Sequence, residues 1–293
     1  MISVVQLGTL NYAEGLRLQQ KLVELRKASQ IGDVLLLLEH TPVITLGRNA
    51  KAANVLASAE ALAARGVEVF ECDRGGDVTF HGPGQLVGYP IFDLREHPCG
   101  ADTPVREKSA LKKTLGVVDY VRSLEEVLIR TCADFGIPTK RVAGLTGAWT
   151  DSACVVSGLW PDQGGSETRH HTTESKIAAI GVHVSRSVTS HGFALNVNTD
   201  LTCFDLIVPC GIAAKPVTSM QRELHREVDL NEVAQSVSRN FSTVFASQMQ
   251  WVETIDALLG NTVGVPMKAP DDLRRLRSEP SGEPSGEDDS FLA

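Results

Sequence analysis

Residues 74–90 read RGGDVTFHGPGQLVGYP, and no other stretch of the chain restricts its fold as tightly. Five glycines and two prolines interrupt residues that would otherwise make a strand. Glycine is used where the main chain takes positive φ or comes close to another group. Here it is interleaved with Arg74, Asp77, Thr79, His81 and Gln85. Two readings fit that composition: a glycine-rich turn between strands, or a binding surface made partly of main chain.

The flanking sequence supplies a scaffold. Asn11 followed by Glu14 resembles a capping box, and Leu16, Leu18, Leu22 and Leu25 then predict an amphipathic helix over residues 12–29. Residues 33–40 carry four consecutive leucines after a valine, the pattern of a strand buried on both faces, and residues 42–46 continue extended. A short helix over 57–65 and a strand over 67–70 lead into Arg74. Residues 86–93 resume an extended pattern with Pro90 inside it, which predicts an edge strand. Helical stripes follow over 119–135 and 229–246, with strands over 153–160, 176–185 and 189–197 between them. This alternation predicts an α/β fold: a mixed central sheet flanked by helices, with a smaller second sheet. Residues 1–267 read as one domain, with polar insertions over about 97–116 and 161–175. From residue 268 the chain is rich in Pro, Ser, Gly, Asp and Glu and reads as a disordered tail.

Charge and cysteine usage narrow the function. A net charge of −8 argues against a nucleic-acid surface, which needs clustered Lys and Arg. The longest apolar run, residues 34–38, is far too short to span a bilayer. Cys72, Cys99, Cys132, Cys154, Cys203 and Cys210 show no CxxC pair, so they read as reduced thiols, without structural zinc. Residues 1–12 lack the features of a secretory leader or a transit peptide. A cytoplasmic location is therefore expected, or the mitochondrial matrix if the source is eukaryotic.

The RGG of residues 74–76, the T-x-H-G-P-G-Q of residues 79–85 and the Tyr89-Pro90 pair together resemble the signature of the lipoyl(octanoyl) transferase family, and EHTPVITLGR at 39–48 adds to it. The resemblance spans most of residues 1–220. It implies a fold similar to the biotin/lipoate protein ligase catalytic domain, and no cofactor. It also implies transfer of an octanoyl group from octanoyl-acyl carrier protein to a lysine of an acceptor. Acceptors would be the lipoyl domains of 2-oxoacid dehydrogenases and the glycine cleavage H protein; a monomer is expected, although no residue pattern fixes the oligomeric state. Arg106, Lys108, Lys112, Lys113 or Arg74 could supply a basic patch for an acidic carrier; a solvated helix face also explains the first four.

The same resemblance implies the chemistry. Cys210, in VPCGI after an N-V-N-x-D-L segment, matches the family's catalytic cysteine, and Lys176, in SKIAAIG, its lysine. Cysteine suits a covalent relay because it is both nucleophile and leaving group. A free thiol near pKa 8.5 is only about 3% thiolate at neutral pH, and a nearby ammonium raises that fraction. Lys176 could act as that cation or as a base. Substrate-binding roles carry over to Arg74, Gly75, Gly76, Asp77, Val78, Thr79, Phe80 and His81, to Ala179, Ile180 and Gly181, and to Gly192, Phe193 and Ala194. His81 and His191 read as structural hydrogen-bonding residues. Three alternatives remain open: an amidotransferase moving octanoyl or lipoyl between carrier proteins, an ATP-dependent lipoate or biotin ligase, and a non-enzymatic acyl-binding module. The GRGRxG loop of biotin ligases is missing.

Overall fold

A computed structural model describes residues 1–97, 114–154, 171–209 and 215–262. The first strand, β1 (Ile2–Leu10), was not anticipated; its ladder is broken by a bulge between Gln6 and Thr9, where Gly8 takes a φ of 67°. Helix α1 (Tyr12–Lys27) starts on Asn11, whose side chain accepts the Glu14 N–H as expected. Strands β2 (Asp33–His40) and β3 (Val43–Leu46) come next, then α2 (Ala59–Ala64), β4 (Glu68–Glu71), β5 (Val78–His81) and β6 (Gln85–Ile91). After α3 (Val117–Asp134) come β7 (Lys140–Val142), β8 (Leu145–Cys154), β9 (His171–Ser185) and β10 (Val188–Asn196). Helices α4 (Met220–Leu224) and α5 (Leu230–Val244), strand β11 (Met249–Trp251) and helix α6 (Ile255–Thr262) complete the described chain.

Eight strands form one mixed sheet in the order β11-β1-β2-β6-β10-β9-β8-β7, and β4-β3-β5 form a second. The leucine run of β2 explains the layering. Leu35 and Leu37 face a core shared with α3 and α5, while Val34, Leu36 and Leu38 face one shared with α1 and α6. All five are at most 2% exposed, and full burial of such a side chain contributes about 2 kcal/mol. The small sheet closes a third core, in which Ile44, Val78 and Phe80 meet Phe204 and Leu206. Among the described residues no helix is long and apolar enough to cross a membrane.

Three expectations need correction. Pro90 lies in the interior of the large sheet, because β6 pairs with β2 on one side and β10 on the other. Proline is tolerated there because the β6–β10 ladder stops at Gly88, opposite Phe193. At Pro90 the Thr189 hydroxyl fills the gap, donating to Pro90 O at 2.7 Å and accepting from Phe92 N at 2.9 Å, and main-chain pairing resumes where Thr189 N donates to Phe92 O at 2.9 Å. The strand expected over 153–160 is β8, which begins at Leu145; of the expected range only 153–154 are described. The excursion expected over 161–175 ends early, since 171–175 belong to β9 and pair with β8, and 161–170 lie outside the described residues. Residues 98–113, which include Cys99 and the basic residues between 106 and 113, and the tail from 268 also lie outside them.

Replacing the Thr189 hydroxyl by a methyl in Thr189→Val strands Phe92 N and Pro90 O in the interior. It is expected to cost about 1–3 kcal/mol in urea unfolding, while Thr189→Ser retains most of the stability. Equal midpoints for wild type and Thr189→Val would remove this explanation of Pro90.

Candidate active site

The glycine-rich stretch is held by one buried guanidinium. Arg74, 7% exposed, donates from Nη2 to Thr45 O at 2.6 Å and to Thr45 Oγ1 at 2.9 Å, and from Nη1 to Gly75 O at 3.1 Å. Main-chain bonds then join 47–49 to 74–77: Arg48 N to Arg74 O at 3.0 Å and Asn49 N to Gly76 O at 3.1 Å. Gly75 N donates across to Val182 O on β9 at 3.0 Å. That crossing requires Gly181, where a Cβ would lie 2.7 Å from Gly75 O.

Asp77 carries the connection onward. Its carboxylate accepts from Val78 N at 2.8 Å and from Asn54 Nδ2 at 2.6 Å. Asn54 O in turn accepts Val208 N at 2.7 Å. Asp73, one residue before Arg74, bridges two strands: His191 Nε2 donates to its Oδ1 at 2.7 Å, and His183 Nδ1 donates to its Oδ2. Burial pushes the Asp73 carboxyl up, but the His191 and His183 hydrogen bonds outweigh it and hold the group below its ordinary value. His191 itself sits at a φ of 56°, a left-handed conformation rare outside glycine.

The pairing of β8 with β9 ends at Ala148 opposite Ala178, whereas β9 continues along β10 to Ser185. A cavity of about 470 Å³, within the usual size for a small-molecule site, opens between β9 and residues 144–146. Val87, Val121, Leu145, Ala179, Ile180, Phe193 and Ala194 give it apolar walls, and Arg74, Gly75, Gly76, Asp77, Thr79, His81, Gly181 and Gly192 contribute the rest of the expected surface. Val78 and Phe80 do not line it. Strand alternation turns them into the third core, away from Thr79 and His81.

Lys176, a residue 8% exposed, lines the same cavity. Its main chain is fixed on both sides, with Lys176 N donating to Pro216 O and Thr218 N donating to Lys176 O, each at 2.9 Å. A narrow crevice beside the cavity is lined by Lys176, Thr79, Ala179, Ala194, Pro209 and Val217 among others. Cys210 lies outside the described residues, as do 211–214.

The protein-family model for the lipoyl protein ligase A/B catalytic domain matches residues 11–242. A relative from Koribacter versatilis named octanoyltransferase is 54% identical over 279 residues, covering 95% of this chain and 98% of the relative. Another of that name, from Acidobacterium capsulatum, is 53% identical over 261 residues, 88% and 96% of the two chains. The chain belongs to the octanoyltransferase family. It is thereby an acyltransferase. The chain also shares its fold with a bi-partite lipoate protein ligase from Thermoplasma acidophilum (TM-score 0.60, 15% identity, 94% of this chain and 92% of that one). A lipoate-protein ligase A bound with ATP has the same fold (TM-score 0.59, 14% identity, 94% of each chain).

Several cavity residues have no separate signal in the sequence. Tyr12 comes from the first turn of α1, Tyr89 from β6, and Leu145 and Thr146 from the start of β8. Tyr89 stands in the Tyr-Pro pair of the motif, which by itself assigns it no role. Three buried histidines, His81, His191 and His40, make hydrogen bonds within the protein. His81 Nδ1 donates to Gln85 Oε1 at 2.7 Å. His40 Nδ1 donates to Leu10 O at 3.0 Å, so its Nε2 accepts from the Tyr89 hydroxyl at 2.7 Å. Burial lowers His40 to about 4, and burial followed by the proximity of His40 and Arg74 lowers His81 to about 3. Burial also lowers His191 and raises both Tyr12 and Tyr89, keeping the phenols neutral.

A pH dependence follows from His40 and His81. The unfolded chain takes up these protons below about pH 6.5, whereas the folded chain resists until about 4 and about 3. More protons are then bound by the unfolded state, so the contribution to stability is intact above about pH 6.5 and is lost progressively as the pH falls. Urea midpoints are expected to drop between pH 7 and pH 5, with a shallower drop in His81→Gln. Parallel slopes for the two proteins would contradict the assignment to His81.

Proposed function

We propose that this protein moves an octanoyl group from octanoyl-acyl carrier protein to a lysine ε-amine of lipoyl domains through a thioester on Cys210, with Lys176 as its partner. The observation that carries this reading is the meeting of three segments at one place. Lys176 lines the wall of an apolar cavity, Pro209 lines the adjoining crevice, and Pro216 and Thr218 hydrogen-bond to the Lys176 main chain. Pro209 is the covalent neighbour of Cys210, and consecutive Cα atoms are about 3.8 Å apart across a trans peptide.

In the first half-reaction the Cys210 thiolate attacks the octanoyl thioester carbonyl. A new C–S bond forms, the bond to the carrier's sulfur breaks, and the departing thiolate takes a proton. In the second, the acceptor amine attacks the acyl-enzyme, an amide forms, Cys210 leaves as thiolate and the nitrogen loses a proton. Lys176 supplies a cation beside the sulfur and can relay the proton in each half. The octanoyl chain would lie against Ala179, Ile180, Phe193 and Ala194, with Arg74, Gly75, Gly76, Asp77, Thr79 and His81 forming the opposite wall. Val78 and Phe80 support that wall from behind. Main-chain amides of Gly181 and Gly192 are candidates for holding the acyl oxygen. An apolar cavity of this size suits an eight-carbon chain better than a polar metabolite.

The test is intact-mass analysis after mixing the protein with octanoyl-carrier protein in the absence of ATP. One octanoyl adduct is expected, labile to hydroxylamine, absent in Cys210→Ser and formed about 10²-fold more slowly in Lys176→Ala. Transfer on to an apo-lipoyl domain completes the test. An adduct that needs ATP would favour a ligase, and a protein octanoylated on a lysine amide as a better donor than the carrier thioester would favour an amidotransferase.

A further inference from the structure

Lys176 has a neighbour that the reading above does not use. Trp149 on β8 is 1% exposed and lies directly opposite Lys176 in the β8–β9 register, next to a bulge between Ala148 and Trp149. The Lys176 Nζ stands 4.7 Å from the centroid of the Trp149 ring. The Lys215 Nζ stands 5.7 Å from the same ring. An indole face attracts ammonium groups at these distances, most strongly where water is excluded.

The charges around the ring are arranged to keep both cations there. Lys215 pairs with Glu174, two residues before Lys176 on β9. Glu174 also receives Lys140 Nζ at 3.3 Å, and Lys140 reaches Asp151 at 2.6 Å. From α3, Glu125 accepts Gly147 N at 3.1 Å and is neutralised by Arg122 at 2.6 Å and Arg141 at 3.2 Å. Glu174 thus ties Lys215 to the platform, while Glu125 and Asp151 are each paired with a cation that is not on the ring. The indole N–H has no hydrogen-bond partner among the described residues, so the ring makes its polar contacts through its face.

We propose that Trp149 is a positioning residue: its ring fixes the Lys176 ammonium at the wall where the acyl cavity meets Pro209, with Lys215 held beside it by Glu174 as a second cation. This rests on the Cys210–Lys176 reading. Without the ring, the Lys176 ammonium loses the aromatic face that sets its position at the wall, and the sulfur loses part of its counter-charge. Trp149 then acts on the reaction through Lys176, without touching substrate.

The experiment is the pH–rate profile of iodoacetamide alkylation at Cys210, followed by peptide mass spectrometry on the full chain. The proteins compared are wild type, Lys176→Ala, Trp149→Phe and Trp149→Leu, each checked for folding by thermal melting. The midpoint is expected to move upward by about half a pH unit or more in Trp149→Leu, less in Trp149→Phe, and furthest in Lys176→Ala. Trp149 profiles that overlay wild type while Lys176→Ala shifts would overturn the platform and leave the dyad standing. A Lys176→Ala profile that also overlays wild type would overturn both. If Trp149→Leu does not fold, Trp149→Phe decides: displacement in the same direction supports the platform, and superposition overturns it.

Discussion

Two main-chain hydrogen bonds at Lys176, from its N–H to Pro216 O and from Thr218 N to its carbonyl, tie the wall of the cavity to the chain that follows residue 214. They attach the chain that follows residues 210–214 to β9 as a short parallel bridge, Lys176 with Val217. The chain before those residues is tied separately, through Val208 N to Asn54 O and from Asn54 to Asp77. A second path runs from His81 to Gln85, from Gln85 Nε2 to Asn196 Oδ1 at 2.9 Å, and from Asn196 Nδ2 to Thr218 O at 2.9 Å. Glycine-rich wall, lysine strand and the flanks of Cys210 therefore form one framework. Buried and fully partnered networks of this kind give a site its rigidity, and a nucleophile–cation pair depends on that rigidity for its geometry.

The same framework explains why the glycines cluster. A side chain at Gly181 would strike Gly75 O, and one at Gly88 would come within 2.1 Å of the Phe193 ring. Bare main chain at these points lets the loop and the two strands close on each other while leaving Phe193 and Ile180 to shape an apolar space. Arg74 is accordingly a structural clamp on Thr45 as well as a wall of the cavity.

Local pattern made much of this legible. The β2 run, the Asn11 cap and the α5 stripe are properties of neighbouring residues, and each was read within a few positions of its place. Pro90 was misplaced at an edge because the group that replaces its ladder bond, the Thr189 hydroxyl, lies 99 residues away in the chain. β1 is hard to see in residues 1–12 because Gln6 and Gly8 interrupt its apolar pattern and a bulge shifts its register between Gln6 and Thr9, although Ile2, Val4 and Val5 are fully buried. At the site, the motif identified whole segments, and strand alternation then divided them, sending Thr79 and His81 to the cavity and Val78 and Phe80 behind it. Trp149 gave no sequence signal, since its relation to Lys176 exists only through the β8–β9 register.

The most direct measurement is a crystal structure of the protein after reaction with an octanoyl thioester. The acyl chain is expected to run from the Cys210 sulfur along Ala179, Phe193 and Ala194, with the Lys176 Nζ within about 4–6 Å of that sulfur. An octanoyl group attached elsewhere, or a Lys176 ammonium well beyond that distance in the acylated enzyme, would contradict the pairing of the two residues.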